Sequence, residues 1–257
     1  MALRFLLLLA VLLASGAALA NGSAASRNLE VVAEGALLAP GSYTVAAGTR
    51  LSQLMATTHP ASDAYLPGIA LYRKGARPQQ VRLRAGLQYS LDLLEEDQDP
   101  QIATAATALS RWLQDHPASG RMPLPINDMR LMQVQRSSDP ILEQGDALRV
   151  PRRPNKITVL GAVESACELP HQPLRDVRDY LRDCTVTSAA DRNDLYVVQP
   201  DMTVQKVGVA PWNRTDPQAV APGGVIFVPL RQHAIDAVDS AFNAEFAAFI
   251  ATQAPHP

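Results

Sequence analysis

Leu142–Val163 reads LEQGDALRVPRRPNKITVLGAV. It carries the closing strand of one small unit, a proline-flanked joint and the opening strand of a second. Its first half recurs near the end of the chain, where Glu143-Gln144-Gly145-Asp146-Ala147-Leu148-Arg149-Val150-Pro151 lines up with Ala221-Pro222-Gly223-Gly224-Val225-Ile226-Phe227-Val228-Pro229. In both, a glycine-containing turn feeds a short apolar run that stops at proline, which cannot donate to a following ladder. Two copies about eighty residues apart predict a duplicated, β-rich module.

Upstream of the joint, Leu29–Val32 and Gly41–Val45 read as strands across a Pro40-Gly41 turn. Thr49 stands as an N-cap before a short helical run, Leu51–Met55. A strand over Ile69–Arg73 ends at Lys74-Gly75. From Gly86 to Pro117 the signal turns helical. Leu87, Leu91 and Leu94 share one face, the acidic Glu95-Glu96-Asp97 and Asp99-Pro100 break it as a solvated tip, and Ile102, Ala105, Ala106, Leu109, Trp112 and Leu113 form a second stripe. This predicts a helical hairpin inserted into the first module, with a return to strand at Met129–Val134.

Downstream, Ile157–Val163 predicts a strand with its partner near Glu168-Leu169. A helix with Leu174, Val177, Leu181 and Cys184 on one face follows, then a central strand at Leu195–Val198 and another at Val204–Val209. A last helix, Gln232 to about Gln253, aligns Ile235, Val238, Phe242, Phe246, Phe249 and Ile250 on a face that docks on its own domain. Its polar side carries Asp236, Asp239 and Glu245 with no basic residue after Arg231. A membrane-surface helix reads the other way, so stable membrane insertion is disfavoured.

Met1–Ala20 reads as a cleavable secretory signal, with Arg4, an apolar core over Phe5–Leu13 and Ala18-Leu19-Ala20 before Asn21. Its removal takes Lys+Arg from 23 to 22 against 25 acids, a formal charge of −3, which leaves no electrostatic footprint for nucleic acid. Apolar residues make up 47% of the chain, enough for two cores. The two cysteines, Cys167 and Cys184, read either as a disulfide, natural to an oxidising compartment, or as two buried thiols.

Gly41-x-Tyr43-x-Val45 with Gly48, Leu51 and Leu54 resembles the opening of an SLBB domain, a soluble-ligand-binding β-grasp. Leu142–Val163 resembles the join between two such domains. Two modules of this kind, an inserted hairpin, Gly120-Arg121, Trp212-Asn213 and a C-terminal amphipathic helix are together similar to the GfcC-like capsule-biosynthesis family. The turns Gln144-Gly145-Asp146 and Pro222-Gly223-Gly224 depart from the usual Pro-Gly-Asp. The resemblance implies a periplasmic protein of Gram-negative bacteria that assists capsule or exopolysaccharide assembly or export. Its partner would be polysaccharide or an outer-membrane polysaccharide-export protein.

The expected fold is α+β. A signal peptide over 1–20 precedes a β-grasp domain over 27–152 with its hairpin at about 87–117, a second β-grasp domain over 153–231 and a C-terminal amphipathic helix over 232–254. No GxSxG, HExxH, P-loop or GxGxxG occurs, and the five histidines are scattered. No metal or cofactor is expected, and the favoured function is non-enzymatic. Arg121, after Gly120, reads as a fork for a sugar carboxylate or phosphate, or as a ligand of the hairpin's backbone. Trp212 reads as a stacking surface for a sugar or as core. Arg152, in the basic run Arg149, Arg152, Arg153 and Lys156 at the joint, reads as a contact for acidic polysaccharide or as a solvated face. A polysaccharide-modifying enzyme using Arg121 and a pure adaptor for an export channel are the alternatives.

Overall fold

Two five-stranded sheets repeat one strand order. In the computed structural model, which describes residues 28–124, 132 and 136–253, the first sheet joins β1 (Asn28–Gly35), β2 (Gly41–Ala46), β3 (Ala70–Tyr72), β4 (Arg121–Met122) and β5 (Ala147–Val150) in the order β2-β1-β5-β3-β4. The second joins β6 (Lys156–Gly161), β7 (Cys167–Pro170), β8 (Asp194–Val198), β9 (Val204–Gly208) and β10 (Val225–Val228) in the order β7-β6-β10-β8-β9. Each opens with an antiparallel hairpin and pairs its first strand parallel to its last, Gly35 facing Val150 and Gly161 facing Val228. A parallel pair inside a sheet is buried on both faces, which is why β10 is a continuous apolar run.

The duplication reaches further than the aligned turns. β1 ends in Gly35-Ala36-Leu37 and β6 in Gly161-Ala162-Val163. In each copy the alanine N–H donates to the carbonyl of the facing valine, at 2.7 Å for Ala36 to Val150 and 2.8 Å for Ala162 to Val228. Both glycines have positive φ, +97° and +115°, and a Cβ on either would lie 2.1 or 2.0 Å from that carbonyl oxygen. Only glycine fits.

Between β3 and β4 stand α2 (Arg77–Leu94) and α3 (Pro100–Asp115), preceded by α1 (Leu51–Thr58). The hairpin therefore begins ten residues before the expected 87. Its early turns are buried through Gln80 and half-buried Leu83 and Arg84 rather than a leucine stripe, so the apolar period is missing there. Asp99 caps α3, accepting from the Gln101 N–H at 2.8 Å, and pairs with Arg231. The Gln101 N–H first and Arg231 second hold its carboxyl below the usual range. The acidic tip is thus tied to the C-terminal segment as well as solvated. Thr49 does not cap α1. Arg50 occupies that position, and Asp139 Oδ1 accepts from the Ser52 N–H at 2.9 Å.

Packing divides the chain differently from sequence order. The first sheet encloses a smaller core with α1, built on Leu51, Met55, Leu71 and Leu148. The inserted hairpin packs instead with the second sheet, where Leu87, Leu91, Ile102, Leu109 and Leu113 share one cluster with Val159, Val197, Phe227, Phe242 and Phe246. The expected C-terminal helix is broken into α5 (Gln232–Ile235) and α6 (Phe242–Ala251), with α4 (Val177–Tyr180) earlier in the chain. Asp239 Oδ1 accepts from the Ala241 N–H at 2.9 Å at the break, the local bonding by which Asp competes with helix. Phe242, Phe246, Phe249 and Ile250 are nevertheless buried. No helix among the described residues is long and apolar enough to cross a membrane.

One other expectation fails locally. The helix through Leu174 is only the single turn α4, and Leu174 itself is 93% exposed with φ 59°. The leader Met1–Ala20 lies outside the described residues. So does most of Met129–Val134, whose Met132 is helical and buried in the first core.

Cys167 in β7 is bonded to Cys184 after α4, with Cα atoms 6.0 Å apart and a sequence separation of 17. Closing a loop of that length stabilises by about 3 kcal/mol. Urea unfolding of a Cys167→Ser/Cys184→Ser double variant is expected to show that loss, and an unchanged midpoint would remove the bond from the stability of this half.

Candidate functional site

Arg121 stands where the first sheet, the hairpin and the C-terminal helix meet. Gly120 before it has φ +82°, and a Cβ there would lie 2.7 Å from the Arg73 carbonyl oxygen, so the residue preceding the arginine has to be glycine. The buried amide of Gln80 fixes the pair from α2. It accepts from the Gly120 N–H at 2.7 Å and donates to the Arg121 carbonyl at 2.8 Å. Ser119 Oγ accepts from the Arg121 N–H at 3.0 Å and donates to the Thr252 carbonyl at 2.7 Å.

Arg121 is buried, 3% exposed, and no carboxylate among the described residues receives its guanidinium. Nη1 donates to the carbonyls of Ala251 at 3.3 Å and Gln253 at 2.7 Å, and Nη2 donates to the Pro200 carbonyl. The carbonyls at the end of α6 are groups a helix leaves unpaired, and a cation is favoured there. Nε alone has no partner among the described residues. Burial lowers the arginine's pKa from its ordinary value. The backbone that binds Arg121 is therefore that of the C-terminal segment and the β8–β9 turn, not the hairpin's.

Arg121 lines a cavity of about 60 Å³ together with His116, Lys156, Glu168, Gln199 and Gln253. That is far below the roughly 300 Å³ at which ligand cavities begin, too small for a sugar ring. His116 stacks on Trp112 at 4.0 Å between ring centroids, and Lys156 pairs with Glu168 at 2.7 Å. A histidine, a carboxylate and a buried cation thus line one pocket that opens to solvent at Lys156 and Glu168.

Trp212 lies in the turn after β9, is not among those cavity-lining residues, and is 76% exposed. It is not core. Its Nε1 donates to Asn193 Oδ1 at 3.3 Å. Asn213 staples the loop beneath it, accepting from the Ala210 N–H at 3.1 Å and donating to the Asn193 carbonyl at 3.1 Å and Asp194 Oδ1 at 3.0 Å. The Asn213 backbone presses on β9 so closely that a Cβ at Gly208 would lie 2.0 Å from its carbonyl oxygen. The indole is displayed on a short, fully bonded clip.

Two members of the basic run at the joint, Arg152 and Arg153, line one cavity of about 560 Å³ with Asp63 and Tyr65. Arg149 pairs with Glu34 at 3.5 Å, Arg152 pairs with Asp63 at 2.7 Å with its side chain 80% exposed, and Arg153 stands 5.9 Å over the Tyr65 ring. Arg121, Trp212 and Arg152 are therefore three separate places. Sequence reasoning missed Gln80, whose polar character in a buried helical position was the available signal, and Asn193, which nothing in the sequence connects to Trp212.

Residues 165–255 match the family described as "Capsule biosynthesis GfcC C-terminal". Over 184 residues the chain is 29% identical to the uncharacterized protein YjbG of Escherichia coli (strain K12), covering 72% of this chain and 74% of that one.

Proposed function

We propose, from the match of residues 165–255 to the capsule-biosynthesis GfcC C-terminal family, that the chain serves capsule assembly as a periplasmic accessory protein that binds the polysaccharide without transforming it. The family implies an extracytoplasmic protein, and the Cys167–Cys184 bond is in keeping with an oxidising compartment. We read the chain as two β-grasp domains of the SLBB kind, about 27–152 and 153–231. The support is the repeated order, in which parallel first and last strands lie side by side within each sheet.

The observation that carries the glycan reading is the indole of Trp212. A single exposed aromatic is common on a protein surface, but this one is held by Asn193 rather than swinging free. A fixed aromatic plane loses little conformational entropy when a sugar ring stacks on it. Such an anchor contributes about 2 kcal/mol, roughly thirtyfold in Kd. Complementation of a capsule-deficient strain tests the role. At equal protein level, Trp212→Ala is expected to leave capsule reduced and Trp212→Phe to restore most of it. Full restoration by Trp212→Ala would sink the reading.

One observation favours an enzyme as the second reading. His116 and Glu168 line the same cavity as Arg121. A guanidinium there would stabilise developing negative charge. Ligand cavities run to about 300 Å³ and more, so this space would have to open before a sugar entered it.

A further inference from the structure

The outward face of α2 carries an apolar ridge that none of the described residues covers. Val81, Tyr89 and Leu93 are 53%, 67% and 42% exposed within one helix. Ala85 and Gly86 between them are exposed, and a Cβ at Gly86 would meet nothing within 4 Å. Val81, Ala85, Tyr89 and Leu93 stand four residues apart and so form one ridge on the helix surface. Gln80, Leu87, Leu91 and Leu94 occupy the opposite, buried side.

Charge divides along the same helix. Its first half holds Arg77, Arg82 and Arg84, while Asp92, Glu95 and Glu96 stand at its far end. Arg77 and Arg84 donate to the Ala118 and Leu113 carbonyls. Arg82 has no ion-pair partner among the described residues.

We propose that this face is where two copies of the chain meet, α2 against α2, antiparallel about a two-fold axis at the level of Leu87. Residue 87−n of one copy then faces residue 87+n of the other. Arg82 meets Asp92 of the second copy, Val81 meets Leu93, and Ala85 meets Tyr89. Opposite charges, two aliphatic chains, and a small residue against a large one are each complementary, and each contact occurs twice by symmetry. A parallel pair would set Arg82 on Arg82 and Asp92 on Asp92. The occupant is a second copy because the pattern is complementary to itself, which a ridge meant for a foreign helix has no cause to be.

One pair of crossing helices buries less than the roughly 1,200 Å² of a standard interface, so the association is weak. Sedimentation equilibrium of the purified protein over a concentration series reads it. The wild-type mass is expected to climb towards that of the dimer. Arg82→Asp and Asp92→Arg change exposed side chains, and circular dichroism checks that both variants keep the fold. Each replaces two attractions by two repulsions and is expected to weaken self-association by more than about tenfold. An equimolar mixture of the two variants is expected to dimerise again, because the reversed charges then face each other. A wild type that stays monomeric to the top of the series, an Arg82→Asp variant that dimerises like wild type, or a mixture that stays monomeric would each overturn the proposal.

Discussion

Gly161→Ala is expected to abolish folding of the second sheet. The substitution adds one methyl group, and that methyl would sit 2.0 Å from the Val228 carbonyl oxygen at a backbone φ of +115°. Neither atom can give way cheaply, because the Val228 carbonyl accepts from Ala162 N–H at 2.8 Å and Val228 is paired in register with Gly161. The left-handed strain of a non-glycine residue costs about 1–2 kcal/mol. Breaking the parallel pairing to relieve the clash takes the total past about 4 kcal/mol, most of the margin of a typical domain. Gly35→Ala meets the same geometry at Val150 in the first sheet and is expected to behave alike. Gly86→Ala is the control: it lies in helix with open space around the new methyl and should raise stability by up to about 1 kcal/mol. Urea unfolding and soluble yield measure all three. A Gly161→Ala protein within about 1 kcal/mol of wild type would contradict the strand register described here.

Arg121→Ala should be the second most damaging change, for a different reason. Burying a guanidinium without a carboxylate costs several kcal/mol, and hydrogen bonds to a charged group return about 1.5–3 kcal/mol each. With three carbonyl acceptors the arginine therefore roughly breaks even. Truncation does not. It leaves the Pro200, Ala251 and Gln253 carbonyls without their donor and opens a void beside Ile250 and Ala251 in α6. A loss of about 3–5 kcal/mol follows, partly restored by lysine, which keeps the charge but reaches fewer acceptors. Thermal unfolding checks it. An unaltered transition in Arg121→Ala would show that the C-terminal segment is held by its phenylalanines alone.

The repeat was legible at the turns because glycine and proline punctuate a chain visibly, and the central strands were legible as unbroken apolar runs. The hairpin's outer turns were not. α2 buries Gln80 there for its hydrogen bonds to Gly120 and Arg121, and a polar residue facing inward looks like a solvated one in sequence. The same limit hid the break in the C-terminal helix, where the phenylalanine spacing continues past a turn that Asp239 closes. That the hairpin packs on the second sheet rather than the one it interrupts is a tertiary choice, with no local signal. At the site, exposure was the unreadable quantity. Trp212 proved open and Arg121 enclosed, and neither Pro211 and Asn213 nor Gly120 and Met122 announce which is which.

The most direct test of a glycan-binding accessory protein is a calorimetric titration of the purified protein with its host's own capsular polysaccharide. The account predicts measurable binding that is weakened by roughly thirtyfold in Trp212→Ala, weakened much less in Trp212→Phe, and unchanged in Arg152→Ala, whose side chain is engaged with Asp63. No heat at millimolar sugar, or equal binding by wild type and Trp212→Ala, would contradict it.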